Sequence, residues 1–176
     1  LAGHRGSLFG GMSGGQPSQK LFESRLAMAL VHLDPDRPVF VEAESNKIGE
    51  RLIPPSLWAL MGAADHVRIT APLDARARYL VTAYADLLED AVRLSSQIAK
   101  LGPYHAKKQI AAWQAMASEG AFEVLARELA EQHYDPRYTK SLEGQPAALG
   151  QVALTDFSEA DMARAARDIL AVVAQD

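Results

Sequence analysis

The stretch VFVEAESNKIGERLIP, residues 39–54, decides how the chain is read. Val39, Phe40 and Val41 form a short apolar run behind Pro38, bounded downstream by polar residues, and that pattern predicts a buried strand over 39–43. Two carboxylates, Glu42 and Glu44, end it. A strand that delivers acids at its carboxyl end is the arrangement by which open parallel sheets build ligand sites. Upstream, DPDRP at 34–38 breaks the chain. Before the break, Leu21, Phe22, Leu26, Ala29, Leu30 and Leu33 recur at helical spacing behind a Pro17-Ser18 entry, which predicts an amphipathic helix. Residues 1–15 hold six glycines without apolar periodicity and read as a loop, flexible or ordered on binding.

Downstream, PPSLWALMGAA predicts a short helix with Pro in its first turn, and HVRIT at 66–70 a second strand. Residues 72–101 keep helical periodicity up to a Gly102-Pro103 stop, and 105–132 form a helical pair with its break near Glu119-Gly120. HYDPRYTKSLEGQP, 133–146, reads as a polar loop in which Asp135-Pro136 starts a rigid turn. QVALT at 151–155 is a third strand, followed by a helix in which Ser158 and Asp161 have capping-box spacing. Strands alternating with helices predict an α/β fold with a largely parallel sheet and helices on both faces. Residues 1–142, with their helical segment 72–132, form the main body, and 143–176 an acidic strand-helix tail of the same domain.

With 176 residues, 48% of them hydrophobic and 23% charged, the chain suits one globular domain with a real core. The apolar runs at 27–33 and 57–64 are too short to cross a bilayer and no leader precedes them, so a cytoplasmic protein without membrane contact is expected. The absence of Cys excludes thiolate chemistry and Cys-ligated zinc in this chain. The net charge of −4 argues against a protein that coats nucleic acid. The deficit is confined to 143–176, however, so Arg5, Lys20, Arg25, Arg76, Arg78, Arg137 and Lys140 could still form a cationic face.

LAGHRGSLFG (1–10), QPSQKLFESRL (16–26), VFVEAESNKIGERLIP and HYDPRYTKS (133–141), in this order and at about these separations, resemble the nucleotide-binding-fold portion of bacterial tRNA 2-selenouridine synthase. The resemblance covers roughly residues 1–141. It implies a part of a P-loop-like domain belonging to a transferase that replaces the sulfur of wobble 2-thiouridine with selenium, through an S-geranylated intermediate. Selenophosphate and geranyl diphosphate are then the implied cosubstrates, with magnesium a candidate. A tRNA anticodon region and a Cys-bearing rhodanese-like domain are the implied partners. The family's GxxxxGK[ST] loop precedes the HRGS segment. GSLFGGMSGG, 6–15, has no Gly-Lys-[Ser/Thr] and cannot supply that loop's Lys or hydroxyl. The expectation is therefore a sheet without its N-terminal strand and phosphate loop. Such a fragment has no bound cofactor, is inactive alone, does not bind ATP or GTP, and contributes tRNA and diphosphate binding. The alternative is a non-catalytic RNA- or protein-binding module of P-loop ancestry.

Each candidate site has two readings. His4, Arg5, Gly6 and Ser7 form an anion clamp beside free backbone N–H groups, or a solvated loop. Gln16, Ser18 and Gln19 lie at a helix start that favours phosphate, or simply cap it. Glu42 and Glu44, taken as catalytic, occupy the place of an acid that holds magnesium through water; alternation from a buried Val41 favours Glu42. The competing reading pairs one of them with Lys47 or Arg51. Arg76 and Arg78 sit about 200° apart at a helix start, so one at most reaches a phosphate. His133, Tyr134, Arg137, Tyr138 and Lys140 suit an unpaired tRNA base and its backbone, or a packed turn. His32, His66 and His105 lack ligand-like spacing, and no metal site is expected from them.

Overall fold

The computed structural model of the chain describes residues 1–12, 14–142 and 147–174. The end of the expected polar loop and the start of the expected tail at Glu143 lie outside the described residues. The chain divides into two compact units, Leu1–Ala64 and Asp65–Asp176. It is α/β with helices dominant and a small parallel sheet, the form consistent with a P-loop-like family. Among the described residues no helix is long and apolar enough to cross a membrane.

In the first unit a glycine-rich loop leads into α1 (Gln19–Val31), followed by the antiparallel pair β1 (Lys47–Ile48) and β2 (Arg51–Leu52) and then α2 (Pro55–Ala63). The loop is held by its own backbone. His4 bridges Gly11, the Arg5 amide donates to the Gly10 carbonyl at 2.8 Å, and the Gly10 amide donates to the Ser7 carbonyl at 2.8 Å. Helix α1 starts where expected, its first turn closed by Ser18 Oγ accepting from the Leu21 amide. Its buried side chain is Phe22, whereas Leu21, Leu30 and Leu33 of the expected apolar face are exposed.

The strand expected over 39–43 does not form. Val39, Phe40 and Val41 are each more than half exposed and no ladder runs through them. An apolar run becomes a strand only where neighbouring backbone satisfies its N–H and C=O groups. Among the described residues none does. The alternation that favoured Glu42 over Glu44 falls with it, since Val41 is not buried.

The second unit carries the parallel pairing. β3 (Val67–Thr70) lies beside β4 (Gly150–Ala153), with Val67 opposite Gly150 and Thr70 opposite Ala153. Val152, Leu154 and Ala165 of α9 (Glu159–Val173) form a small core beneath it, with Ile169 and Val172 packed on. Ser158 Oγ caps α9 by accepting from the Asp161 amide at 3.2 Å. The reciprocal half of the box is displaced: Asp161 Oδ2 accepts from the amides of Thr155, Asp156 and Phe157 instead.

Between the strands run α3 (Leu73–Ala83), α4 (Ala85–Leu88), α5 (Ala91–Ala99), α6 (Lys107–Ser118) and α7 (Phe122–Leu129). Gly120, at φ +73°, makes the expected break between α6 and α7. Leu87, Ile98, Leu101 and Trp113 are fully buried in this helical part. The loop expected from 133 is helical instead: a π turn, Ala130–Tyr134, continues into α8 (Asp135–Leu142). Proline is tolerated in a first helical turn, where its missing N–H has no helical partner. The widened turn, closed by the Asp135 amide on the Ala130 carbonyl, absorbs the register change just before Pro136.

Candidate functional site

A cleft of about 500 Å³ opens within the first unit. His4, Arg5, Gly6, Glu42, Glu44 and Lys47 contribute its polar wall, while Phe22, Leu26, Ile53, Leu57 and Met61 give an apolar one. Ser7 is not among the lining residues. Residues some forty positions apart are brought together by two glutamines. Gln16 Nε2 donates to the carbonyls of Ala2 (3.2 Å) and Ile48 (2.8 Å), and its Oε1 accepts from the Glu50 amide at 2.7 Å. Gln19 exchanges two hydrogen bonds with the backbone of Leu52, at 2.8 and 3.0 Å. Gln16 thus fastens the glycine-rich loop and the β1–β2 hairpin to the start of α1, Gln19 fastens the hairpin alone, and Ser18 caps the helix. The three helix-start candidates are engaged in holding backbone.

The hairpin comes close to the loop at one point. Gly49 has φ +61°, and a Cβ there would lie 2.7 Å from His4 Cδ2 and inside the Gln16 carboxamide oxygen. His4 Nδ1 accepts from the Gly6 amide at 3.0 Å, which leaves Nε2–H as the donor of the neutral ring. Burial lowers the His4 pKa and keeps that ring neutral. Burial also raises the Glu42 carboxyl pKa, reinforced by a hydrogen bond and charge repulsion from Glu44. Two carboxyl groups so placed can share a proton. The competing ion pair is absent for Arg51, which meets Glu50 at 3.1 Å.

The remaining candidates belong to the second unit. Arg76 grips Asp135 with both guanidinium nitrogens, at 2.7 and 2.6 Å, and Arg78 approaches Glu123 at 3.9 Å. His133 is 5% exposed, and its Nδ1 lies 2.9 Å from His105 Nε2. The His133 ring also meets Tyr134 edge-on at 4.9 Å. Tyr134 and Tyr138 lie nearly parallel, 6.3 Å apart and half-buried. The Arg137 guanidinium covers the ring of Tyr104, 4.1 Å from its centroid, and Lys140 is exposed. Sequence reasoning missed Lys47 in the cleft and Tyr104 and His105 in this cluster. The Gly102-Pro103 stop marks a loop there, and loops carry functional side chains; that was the available signal.

The His133 pKa is pushed down to about 4, first by burial, then by the positive charge of Arg137 and by His105. An unfolded His titrates near about 6.5. The neutral ring is therefore the folded form, and the stability it contributes is complete above that pH and lost as pH falls from about 6.5 toward 4. The thermal midpoint, followed by circular dichroism, is expected to drop over that interval. His133→Gln should flatten the drop; an unchanged pH profile in that variant would assign the drop to other groups.

The chain has relatives among known proteins. The family model of the tRNA 2-selenouridine synthase AAA domain matches residues 1–110. The tRNA 2-selenouridine synthase of Nitrosomonas europaea is 42% identical over 79 residues, which is 43% of this chain and 20% of that protein. Those of Shewanella loihica (41% over 86 residues; 48% of this chain, 23% of that protein) and Hahella chejuensis (42% over 82; 45% and 22%) are similar to it in the same degree. The matched part of the chain thus spans less than a quarter of the length of these curated relatives. No solved structure matches it.

Proposed function

Because the chain belongs to the tRNA 2-selenouridine synthase AAA-domain family, we propose that it is the diphosphate- and tRNA-binding part of a cytoplasmic tRNA-modifying transferase, inactive without the rest of that enzyme. The observation that carries this reading is the two-sided cleft of the first unit. A prenyl diphosphate such as geranyl diphosphate has a matching pair of halves: an anionic head for Arg5, Lys47 and His4 Nε2–H, and an apolar tail for Leu26, Leu57 and Met61. Arg5 contributes a charge-assisted hydrogen bond to the head. In this reading the sulfur of wobble 2-thiouridine bonds to the allylic carbon while diphosphate leaves. Selenium of selenophosphate then bonds to C2 of the uridine as the C2–S bond breaks and geranyl thiol leaves, and water takes the phosphoryl group from selenium as phosphate.

Glu42 and Glu44 would repel a diphosphate unless a cation stood between them. Their mutual hydrogen bond and the raised Glu42 pKa suit two carboxylates able to exchange a shared proton for magnesium, which takes one or two carboxylates together with substrate phosphates. Glu42 and Glu44 would hold the ion, which would supply positive charge beside the departing head group. In the second unit, His133, Tyr134, Arg137, Tyr138 and Lys140 lie together and serve the tRNA. The rhodanese-like domain is the partner that handles selenium.

Arg5→Ala is expected to weaken geranyl diphosphate binding by about 1–3 kcal/mol, the scale of a hydrogen bond to a charged group. Calorimetric titration of the full chain with magnesium present measures it. Geraniol, which lacks the head group, should bind parent and variant alike. Equal affinity of both proteins for geranyl diphosphate, with unchanged circular dichroism, would remove Arg5 from the site.

A further inference from the structure

The second unit has a cationic surface that the overall charge conceals. Residues 91–118 include Arg93, Lys100, Lys107 and Lys108 and no acid, in a chain of 22 acids and 18 bases. Residues 137–142 add Arg137 and Lys140, again with no acid. The two stretches meet where the guanidinium of Arg137 lies 4.1 Å from the centroid of the Tyr104 ring.

Tyr104 is 60% exposed. Ile98, Leu101 and Trp113, near it in sequence, are fully buried. Arg137, Lys107, Lys108 and Lys140 are exposed, and among the described residues none of them makes an ion pair. The ring is also held from behind. Tyr104 packs against His133, their centroids 5.8 Å apart, and its neighbour His105 is tied to the same His133 by the 2.9 Å ring contact. An exposed ring with a planar cation lying over one of its faces is a preformed surface for another planar group.

The charge selects the partner. A membrane site would need apolar side chains around the ring, and an acidic protein would need no stacking face. An unpaired nucleobase uses the ring and the guanidinium plane, and its flanking phosphates use the lysines. We propose that Tyr104 and Arg137 form a stacking platform for an unpaired base of single-stranded RNA, with Lys107, Lys108 and Lys140 holding the adjoining phosphates. This rests on the tRNA reading above and deepens it: the base contact moves from the half-buried Tyr134 and Tyr138 to Tyr104, which no motif of the sequence singled out.

The test is fluorescence anisotropy of the full chain with a labelled anticodon stem-loop RNA, the same stem-loop carrying abasic loop positions, and a duplex of equal charge. Tyr104→Ala should raise the Kd for the intact stem-loop by about tenfold, in the range of one lost base stack, and leave the abasic and duplex ligands unchanged. Tyr104→Phe should bind within about twofold of the parent, because stacking needs the ring and not the hydroxyl. Lys107→Gln with Lys108→Gln should lower the slope of log Kd against log salt by about 1.4, as two single-strand phosphate contacts are lost. If the parent binds the stem-loop and Tyr104→Ala binds it equally well, the platform is wrong while tRNA binding stands. If the parent binds none of the three RNAs at low salt, the platform and the tRNA reading both fall.

Discussion

Trp113→Ala is expected to destabilise the second unit by about 3–5 kcal/mol, the range for removing a large aromatic from a core. Trp113 is 0% exposed and lies on α6, where the ring of His105 meets it edge-on at 4.7 Å. Its indole Nε1 donates to Glu128 Oε2 at 2.9 Å, so the substitution removes packing and a hydrogen bond together. Glu128 also accepts from Gln109 at 3.1 Å and Gln132 at 3.3 Å, and its carboxylate therefore does not become an orphan. That retained pairing separates the two contributions: Trp113→Phe keeps most of the ring and loses the N–H, costing about 1 kcal/mol for the hydrogen bond plus a smaller packing loss. Urea unfolding followed by circular dichroism measures both. If the two variants unfold at the same urea concentration as the parent, Trp113 is not the centre of this core.

The second large effect is expected at Gly49. Its φ of +61° is a conformation that a β-branched residue adopts only under strain, worth about 1–3 kcal/mol. The new side chain would also collide with the Gln16 carboxamide and His4, the contacts that fasten the hairpin to the loop. Gly49→Val should therefore destabilise the first unit and abolish geranyl diphosphate binding. Gly62 supplies the control, since it sits within α2 and a methyl group added there would meet no heavy atom within 4 Å. Gly62→Ala should leave binding intact and stabilise α2 by up to about 1 kcal/mol. Equal binding by parent and Gly49→Val would show that the hairpin does not shape the cleft.

The helices were legible in the sequence because their evidence is local. Apolar spacing marked α1 and the run from α3 to α7, and Gly120 marked a break that its positive φ explains. That HVRIT and the later QVALT are strands, and that the sheet is parallel, was also legible from strands alternating with helices; which strand pairs with which was not. Two readings failed for reasons that lie outside the segment concerned. Val39–Phe40–Val41 has strand composition, yet a strand exists only beside a partner, and sequence near residue 40 says nothing of one. Asp135-Pro136 suits both a turn and a first helical turn, and the preceding π turn that decided for helix leaves no periodic mark.

The cleft shows the same limit. His4, Arg5, Glu42 and Glu44 came forward through motif resemblance and position, but spacing alone does not bring residues so far apart into one cavity. The clamps at Gln16 and Gln19 do that, and glutamines at a helix start read equally well as ligand contacts. Tyr104 and His105 had no motif around them, and Lys47, inside the 39–54 stretch, was read only as a pairing partner for the carboxylates. Their importance comes from which side chains the fold sets beside them.

A photoreactive benzophenone analogue of geranyl diphosphate, cross-linked to the full chain in the presence of magnesium and mapped by peptide mass spectrometry, tests the cleft reading most directly. Labelling of the peptides that contain Leu26, Leu57 and Met61, displaced by excess geranyl diphosphate and reduced in Arg5→Ala, is the expected result. Labelling confined to residues beyond Ala64, or labelling that geranyl diphosphate does not displace, would contradict it.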